Sequence, residues 1–236
     1  MSSLLGYHRK DAFMSMSRLI LWGGLLGLVI VGCTGSRTVS QKPKSSEEPA
    51  EVASSTDIQQ VAGSDQQTYL VRLETSRGDV LIEVHPEWAP RASKRFRELV
   101  EIGFYDDCRF FRVLEGFMAQ VGMNGDPALN KEWKDKKFRD DPVIQSNKRG
   151  YVTFATSGPD SRTTQFFINM ADNSTLDRRG FSPFGKVLEG QEIVESLHNG
   201  YKEDPQQDRI DRRGNAYLKS EFPKLDYIVR ATVEER

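Results

Sequence analysis

The stretch Phe110-Phe111-Arg112-Val113-Leu114-Glu115-Gly116-Phe117-Met118-Ala119-Gln120-Val121-Gly122 carries the densest information in this sequence. It reads as a strand, a glycine-containing turn and a second strand. Two polar side chains interrupt its apolar pattern. Arg112 stands among phenylalanine, valine and leucine, and Gln120 lies two residues beyond the Phe117-Met118 pair. Taken alone, Phe117 and Met118 fit ordinary core packing, and Arg112 fits a partly exposed salt bridge of little energetic weight.

On the N-terminal side, Tyr69, Val71 and Leu73 alternate with more polar neighbours. Ser76-Arg77-Gly78-Asp79 then turns the chain into Val80-Leu81-Ile82-Glu83-Val84, which predicts a β-hairpin. Pro90 suits the first turn of a helix running to about Ile102, with Phe96, Leu99 and Val100 on one face and Gly103 just past its end. Short apolar runs at Phe110–Val113, Phe117–Val121, Tyr151–Ala155, Phe166–Met170 and Phe184–Leu188 predict further strands. A second short helix fits Gln191–Leu197, and Tyr227–Val233 reads as a closing strand. Many short strands with only two helices point to a mainly β barrel or sandwich rather than a parallel α/β sheet. Pro127–Lys148 and Asn199–Leu225 receive no element and read as inserted loops or as a partner surface.

Composition removes several function classes. Thirty-three basic against 34 acidic side chains give a net charge of −1, with no bulk reason to expect nucleic acid as a partner. Two cysteines and three histidines are too few for a zinc cluster or a disulfide framework, so neither metal nor cofactor is expected. Cys108 reads as a quiet, buried thiol. Gly180-Phe181-Ser182-Pro183-Phe184-Gly185-Lys186 mimics a phosphate-binding loop, but Val187 stands where a Ser or Thr must bind magnesium. His85 and His198 have no adjacent nucleophile and read as surface residues.

Three further blocks follow the first: Gly150-Tyr151-Val152-Thr153-Phe154-Ala155-Thr156-Ser157-Gly158-Pro159, Thr164-Gln165-Phe166-Phe167-Ile168, and Phe184-Gly185-Lys186-Val187. In their order and spacing these blocks resemble the cyclophilin family of peptidyl-prolyl cis-trans isomerases, whose signature F-H-R-x-x-x-G-F-M-x-Q-x-G the first block is similar to. The resemblance covers essentially all of residues 68–236. It implies a closed eight-stranded antiparallel β-barrel capped by two helices, with a groove on its outer surface. It also implies that Arg112 is catalytic and that Phe117, Met118, Phe167 and Leu176 wall a proline pocket. Gln120 and Gln165 would be groove hydrogen-bonding residues, and Ala155 with Thr156 would grip the residue before proline. Phe181 falls nearest the position of a groove histidine found in many members, and Thr175 stands where many carry a tryptophan that favours cyclosporin binding. Weak sensitivity to that inhibitor is the implied consequence.

The first residues carry a different message. Arg9, Lys10 and Arg18 precede the apolar run Leu19–Gly32, which is shorter than the roughly 20 residues of a membrane span and has the length of a signal-peptide core. Ile30-Val31-Gly32-Cys33 resembles the lipobox of bacterial lipoproteins, which implies cleavage before Cys33 and lipidation of its thiol. A short membrane anchor with an incidental cysteine is the alternative. Residues 34–67 hold seven serines, two prolines and no aromatic residue, a composition that predicts a disordered tether reaching roughly 30–35 Å.

The expectation is therefore a signal peptide over 1–32, a lipidated cysteine and tether over 33–67, and an isomerase domain over 68–236. It would be monomeric and held by lipid in a bacterial cell envelope, facing the periplasm or the outside. There it would act on proline-containing unfolded or exported polypeptides. The alternative is a non-catalytic module of the envelope that binds proline-containing peptides as a chaperone or scaffold.

Overall fold

The computed structural model describes residues 67–234. The readings placed on residues 1–66, Cys33 among them, lie outside the described residues. Strands β1 (Tyr69–Thr75) and β2 (Gly78–Val84) form the expected hairpin, paired from Tyr69↔Val84 to Thr75↔Gly78 across a turn at Ser76-Arg77. Every second residue of β1 is buried, as period-two alternation requires when one face meets a core.

The remaining strands are β3 (Arg112–Leu114), β4 (Met118–Val121), β5 (Tyr151–Phe154), β6 (Phe166–Asn169), β7 (Pro183–Glu189) and β8 (Ile228–Glu234). With β1 and β2 they make one eight-stranded antiparallel sheet in the order β3-β4-β6-β5-β7-β2-β1-β8. The sheet curls without closing, which corrects the expected closed barrel. The two end strands, β3 and β8, do not form a ladder. β3 is three residues long, and the N–H of its middle residue, Val113, donates to the carbonyl of Lys202 instead (3.0 Å). The seam is bridged just before β3 begins, by an isolated pairing of Arg109 with Tyr227. Phe110 N–H donates to Asp226 O and Ile228 N–H donates to Cys108 O, both at 2.9 Å.

Four α-helices, rather than two, lie among the described residues: α1 (Pro90–Glu101), α2 (Pro127–Trp133), α3 (Gln191–Glu195) and α4 (Gln207–Glu221). α1 and α3 are the two expected helices; α2 and α4 fall inside the two stretches left without elements. α1 buries Ala92, Phe96, Leu99 and Val100 against the sheet. There Phe96 meets Phe166 edge-on (5.2 Å) and Phe184 at a tilt (4.9 Å). Cys108 sits fully buried in this core, and burial pushes its thiol pKa well up, as suits an unreactive residue.

α4 has its own small core. Ile210, Tyr217 and Leu218 pack with Leu225, Phe111 and Met123, so this insertion is fastened to residues flanking the two ends of the β3–β4 block. The helix breaks at Gly214, whose φ of +52° and ψ of −138° leave the helical region. A Cβ there would lie 2.0 Å from the Gly125 carbonyl oxygen, so the close crossing of α4 over residue 125 requires glycine.

Candidate functional site

Pairing of β3 with β4 sets Arg112 opposite Gln120 and Leu114 opposite Met118; pairing of β4 with β6 sets Gln120 opposite Phe167. Directly paired residues share a face of the sheet, so Arg112, Gln120 and Phe167 form a row across three strands. Gly122 lets this row form. At φ +106° it ends β4 so close to the next strand that a Cβ would lie 2.5 Å from the carbonyl oxygen of Thr164. That approach brings Gln165 beside Gln120.

Beside the row, Met118, Phe167 and Leu176 make a buried apolar cluster separate from the main core, with Leu114, Phe117, Ala155 and Phe181 packed around it. Leu176 comes from a 3-10 helix (Ser174–Arg179), and the Phe167 and Phe181 rings meet edge-on at 5.7 Å. Above the cluster opens a cavity of about 300 Å³. Arg112, Phe117, Met118, Gln120, Ala155, Thr156, Phe167, Leu176 and Phe181 all line it, together with two residues not foreseen, Arg179 and Gln207. Gln165 lines an adjoining hollow with Gln120, Ala155, Thr156 and Ser161. The Thr156 hydroxyl faces its own loop, 2.9 Å from Ser161 Oγ.

The polar side chains form a directed chain. Arg112 Nε–H donates to Glu203 Oε2 (2.9 Å), and an Arg112 terminal N–H donates to Gln120 Oε1 across a longer 3.4 Å. Gln120 Nε2 donates to Gln165 Oε1 (2.8 Å), and Gln165 Nε2 donates to Gln207 Oε1 (3.1 Å). A guanidinium can only donate, so it fixes the Gln120 amide oxygen inward, and each amide then passes a donor to the next. The bland reading of Arg112, a partly exposed salt bridge, is thus also present in the structure.

The 3-10 helix is pinned from below. Burial opposes ionisation of Asp177, but hydrogen bonds from Ser146 Oγ (2.6 Å), the Asn147 side chain (2.8 Å) and the Asn147 N–H (2.9 Å) outweigh it and hold the carboxyl below its ordinary value. Asn147 also donates to the Phe181 carbonyl (2.9 Å), so one buried amide ties together both ends of the Leu176–Phe181 wall. The apparent phosphate loop lies partly in β7 and forms no cradle. His85 is less exposed than expected: its ring sits between Glu83 Oε2 (2.8 Å) and Glu87 Oε1 (2.7 Å) and stacks on Trp88. Among the described residues no three His, Cys, Asp or Glu side chains are grouped to hold a metal ion.

Residues 70–215 match the family model described as cyclophilin type peptidyl-prolyl cis-trans isomerase. The chain belongs to that family. A peptidyl-prolyl cis-trans isomerase-like 3 of Rhizopus delemar is 39% identical over 130 residues, covering 51% of this chain and 75% of the relative. A peptidyl-prolyl cis-trans isomerase of Acinetobacter baylyi is 35% identical over 141 residues, covering 55% and 72%. In fold, the chain is similar to a Cryptosporidium parvum cyclophilin, with a TM-score of 0.54, 22% identity, and coverage of 72% and 99%. A cyclophilin from Hirschia baltica gives a TM-score of 0.50 at 24% identity, covering 76% and 80%. In this cyclophilin-type chain the family match stops inside α4, so β8 lies beyond it.

Residue-type patterns could not have found Glu203, Gln207 or Arg179. Each is a solvated polar residue by sequence, and the first two lie in an insertion that carries none of the family's motifs.

Proposed function

We propose that this cyclophilin-type isomerase turns X-Pro bonds over in the cavity described, with Arg112 as its catalytic residue. Rotation about an X-Pro amide meets a barrier of roughly 18–20 kcal/mol because the C–N bond has partial double-bond character. No bond breaks, so no nucleophile or proton carrier is needed. In the twisted amide resonance is lost and the proline nitrogen becomes pyramidal and basic. A guanidinium donor beside that nitrogen stabilises the twisted state more than either planar state, which is what lowers a barrier.

The observation that carries this reading is the placement of Arg112. It stands at the rim of an apolar hollow floored by Met118, Phe167 and Leu176, which suits a proline ring. Among the described residues one terminal guanidinium nitrogen has no hydrogen-bond partner, so a donor is available toward the cavity. Phe117 and Phe181 flank the hollow, and Gln120, Gln165, Ala155 and Thr156 offer polar groups along the adjoining groove.

One preorganised donor of this kind is commonly worth about 2.7–4 kcal/mol. Arg112→Ala should therefore lower kcat/KM on an Ala-Ala-Pro-Phe peptide by roughly 10²–10³-fold with the fold retained, as read by circular dichroism. A loss below threefold would remove Arg112 from this role.

The proposal extends to place and substrate. Arg9, Lys10 and Arg18, the apolar run to Gly32 and the following Cys33 support a lipid anchor in a bacterial envelope, close to exported chains that refold outside the cytoplasm. Uncatalysed proline isomerisation takes tens to hundreds of seconds, slow enough to limit such refolding. In bacteria expressing the full chain, Cys33→Ser should abolish incorporation of labelled fatty acid; retained label would contradict the anchor.

A further inference from the structure

We infer that Glu203, supplied by the segment between α3 and α4, is a positioning residue that sets the orientation of the Arg112 guanidinium. The inference rests on the reading of Arg112 given above. Arg112 lies on an end strand of the sheet, where no further strand flanks it, and its side chain keeps 30% exposure. Glu203 takes the Nε–H at 2.9 Å, and Gln120 takes one terminal N–H at 3.4 Å from the groove side. Fixing Nε and one terminal nitrogen fixes a planar group, and leaves the other terminal nitrogen with its two N–H groups for the cavity.

The carboxylate is held where it is by backbone rather than by chance. Val113 N–H donates to the carbonyl of Lys202, which ties the residue after Arg112 to the residue before Glu203 (3.0 Å). Two tight turns enclose this point: Lys202 N–H donates to Asn199 O (3.0 Å) and Asp204 N–H to Tyr201 O (2.9 Å). Lys202 takes a left-handed φ of +49° to join them. Asn199 Nδ2 holds Glu115 Oε2 in the β3–β4 turn (3.2 Å). Tyr201 packs edge-on against Phe222 at 5.1 Å, and so belongs to the cluster that includes Phe111, the residue before Arg112. The same insertion supplies Gln207 at the opposite end of the amide chain. Both ends of the polar row are therefore set by one segment.

The Glu203 side chain is 62% exposed. An exposed ion pair contributes little to folding, so this one separates orientation from stability, and that separation is testable. The test is a double-mutant cycle on the full chain with the Ala-Ala-Pro-Phe peptide, using Arg112→Ala, Glu203→Ala, their combination, and Glu203→Gln. Glu203→Ala should lower kcat three- to tenfold with KM within twofold and the melting temperature unchanged. Glu203→Gln, whose amide oxygen still accepts from Nε, should restore at least half the rate. In the Arg112→Ala background, assayed at raised enzyme concentration, removing Glu203 should change the rate by less than 1.5-fold.

An equal loss in both backgrounds would make Glu203 a structural residue and overturn the inference. So would no loss from Glu203→Ala beside a large loss from Arg112→Ala, which leaves the reading of Arg112 standing. A rise in rate would make Glu203 a competitor for the guanidinium and overturn positioning as well. If Arg112→Ala itself had no effect, the reading of Arg112 would fall and this inference with it.

Discussion

At the scale of single residues, the direction of the hydrogen bonds matters more than their number. Arg112 can only donate, which forces the Gln120 oxygen toward it and the Gln120 amide nitrogen toward Gln165. Gln120→Glu tests this without changing shape. The carboxylate still accepts from Arg112 but offers nothing to Gln165, and it gives the guanidinium a charged partner inside the groove. A tenfold fall in kcat/KM is expected, matching about 1.4 kcal/mol, the scale of one buried hydrogen bond lost. Full activity in that variant would show that the amide chain does no positioning. Arg112 and Gln120 stood out in the sequence because polar residues interrupted an apolar block. Glu203 did not, since nothing about an acidic residue in a charged insertion marks it as the partner of an arginine 91 positions away.

At the scale of elements, local pattern was legible and long-range support was not. The hairpin β1–β2 and helix α1 follow from alternation, from Pro90 and from the spacing of Phe96, Leu99 and Val100. The cap of α1 does not. Its N-cap residue is Ala89, which makes no capping hydrogen bond; Asp141 instead accepts from Ala92 N–H (2.9 Å) and Arg91 N–H (3.2 Å). A carboxylate reaching back from an insertion leaves no local signature. α2 and α4 give no sequence signal for a related reason: α2 is only seven residues long, and α4 is highly charged and interrupted at Gly214, so neither shows a clean apolar stripe.

The 3-10 helix that walls the cavity carries a pH dependence with a definite sign. Asp177 is held below its ordinary value in the fold, so it contributes stability that is present above the unfolded pKa, near 3.9, and lost as pH falls through the lower folded value. The urea midpoint should fall on acidification from about pH 5, and Asp177→Asn should flatten that fall. An unchanged acid slope in the variant would mean that Asp177 is not part of the linkage.

At the scale of the whole molecule, the sheet and the insertion explain each other. The family resemblance implied a closed barrel, but the outer edge of β3 is engaged by Lys202, and β8, paired with β1 on one side, approaches the β3 end of the sheet only through the residues just before β3, around the isolated Arg109–Tyr227 pairing. Arg109 helps seal that seam, donating to Leu225 O at 3.0 Å and lying 4.7 Å from the Tyr227 ring. The strand where the sheet stays open is the strand that carries Arg112, so the insertion supports the site in place of a closing strand. The resemblance carried by the four blocks was enough to bring the cavity residues together. It was silent about which segment would stand beside them, because insertions are fixed by tertiary packing.

The central claim is that the cavity catalyses rotation rather than merely holding proline-containing segments, and exchange spectroscopy separates the two. Two-dimensional NMR of an Ala-Ala-Pro-Phe peptide, with catalytic amounts of the full chain, reports binding as line broadening and turnover as cis–trans exchange peaks. Wild-type protein should give exchange peaks that collapse in Arg112→Ala, while both proteins still bind the peptide. Binding without exchange peaks in the folded wild type would contradict the account and leave a proline-binding module in its place.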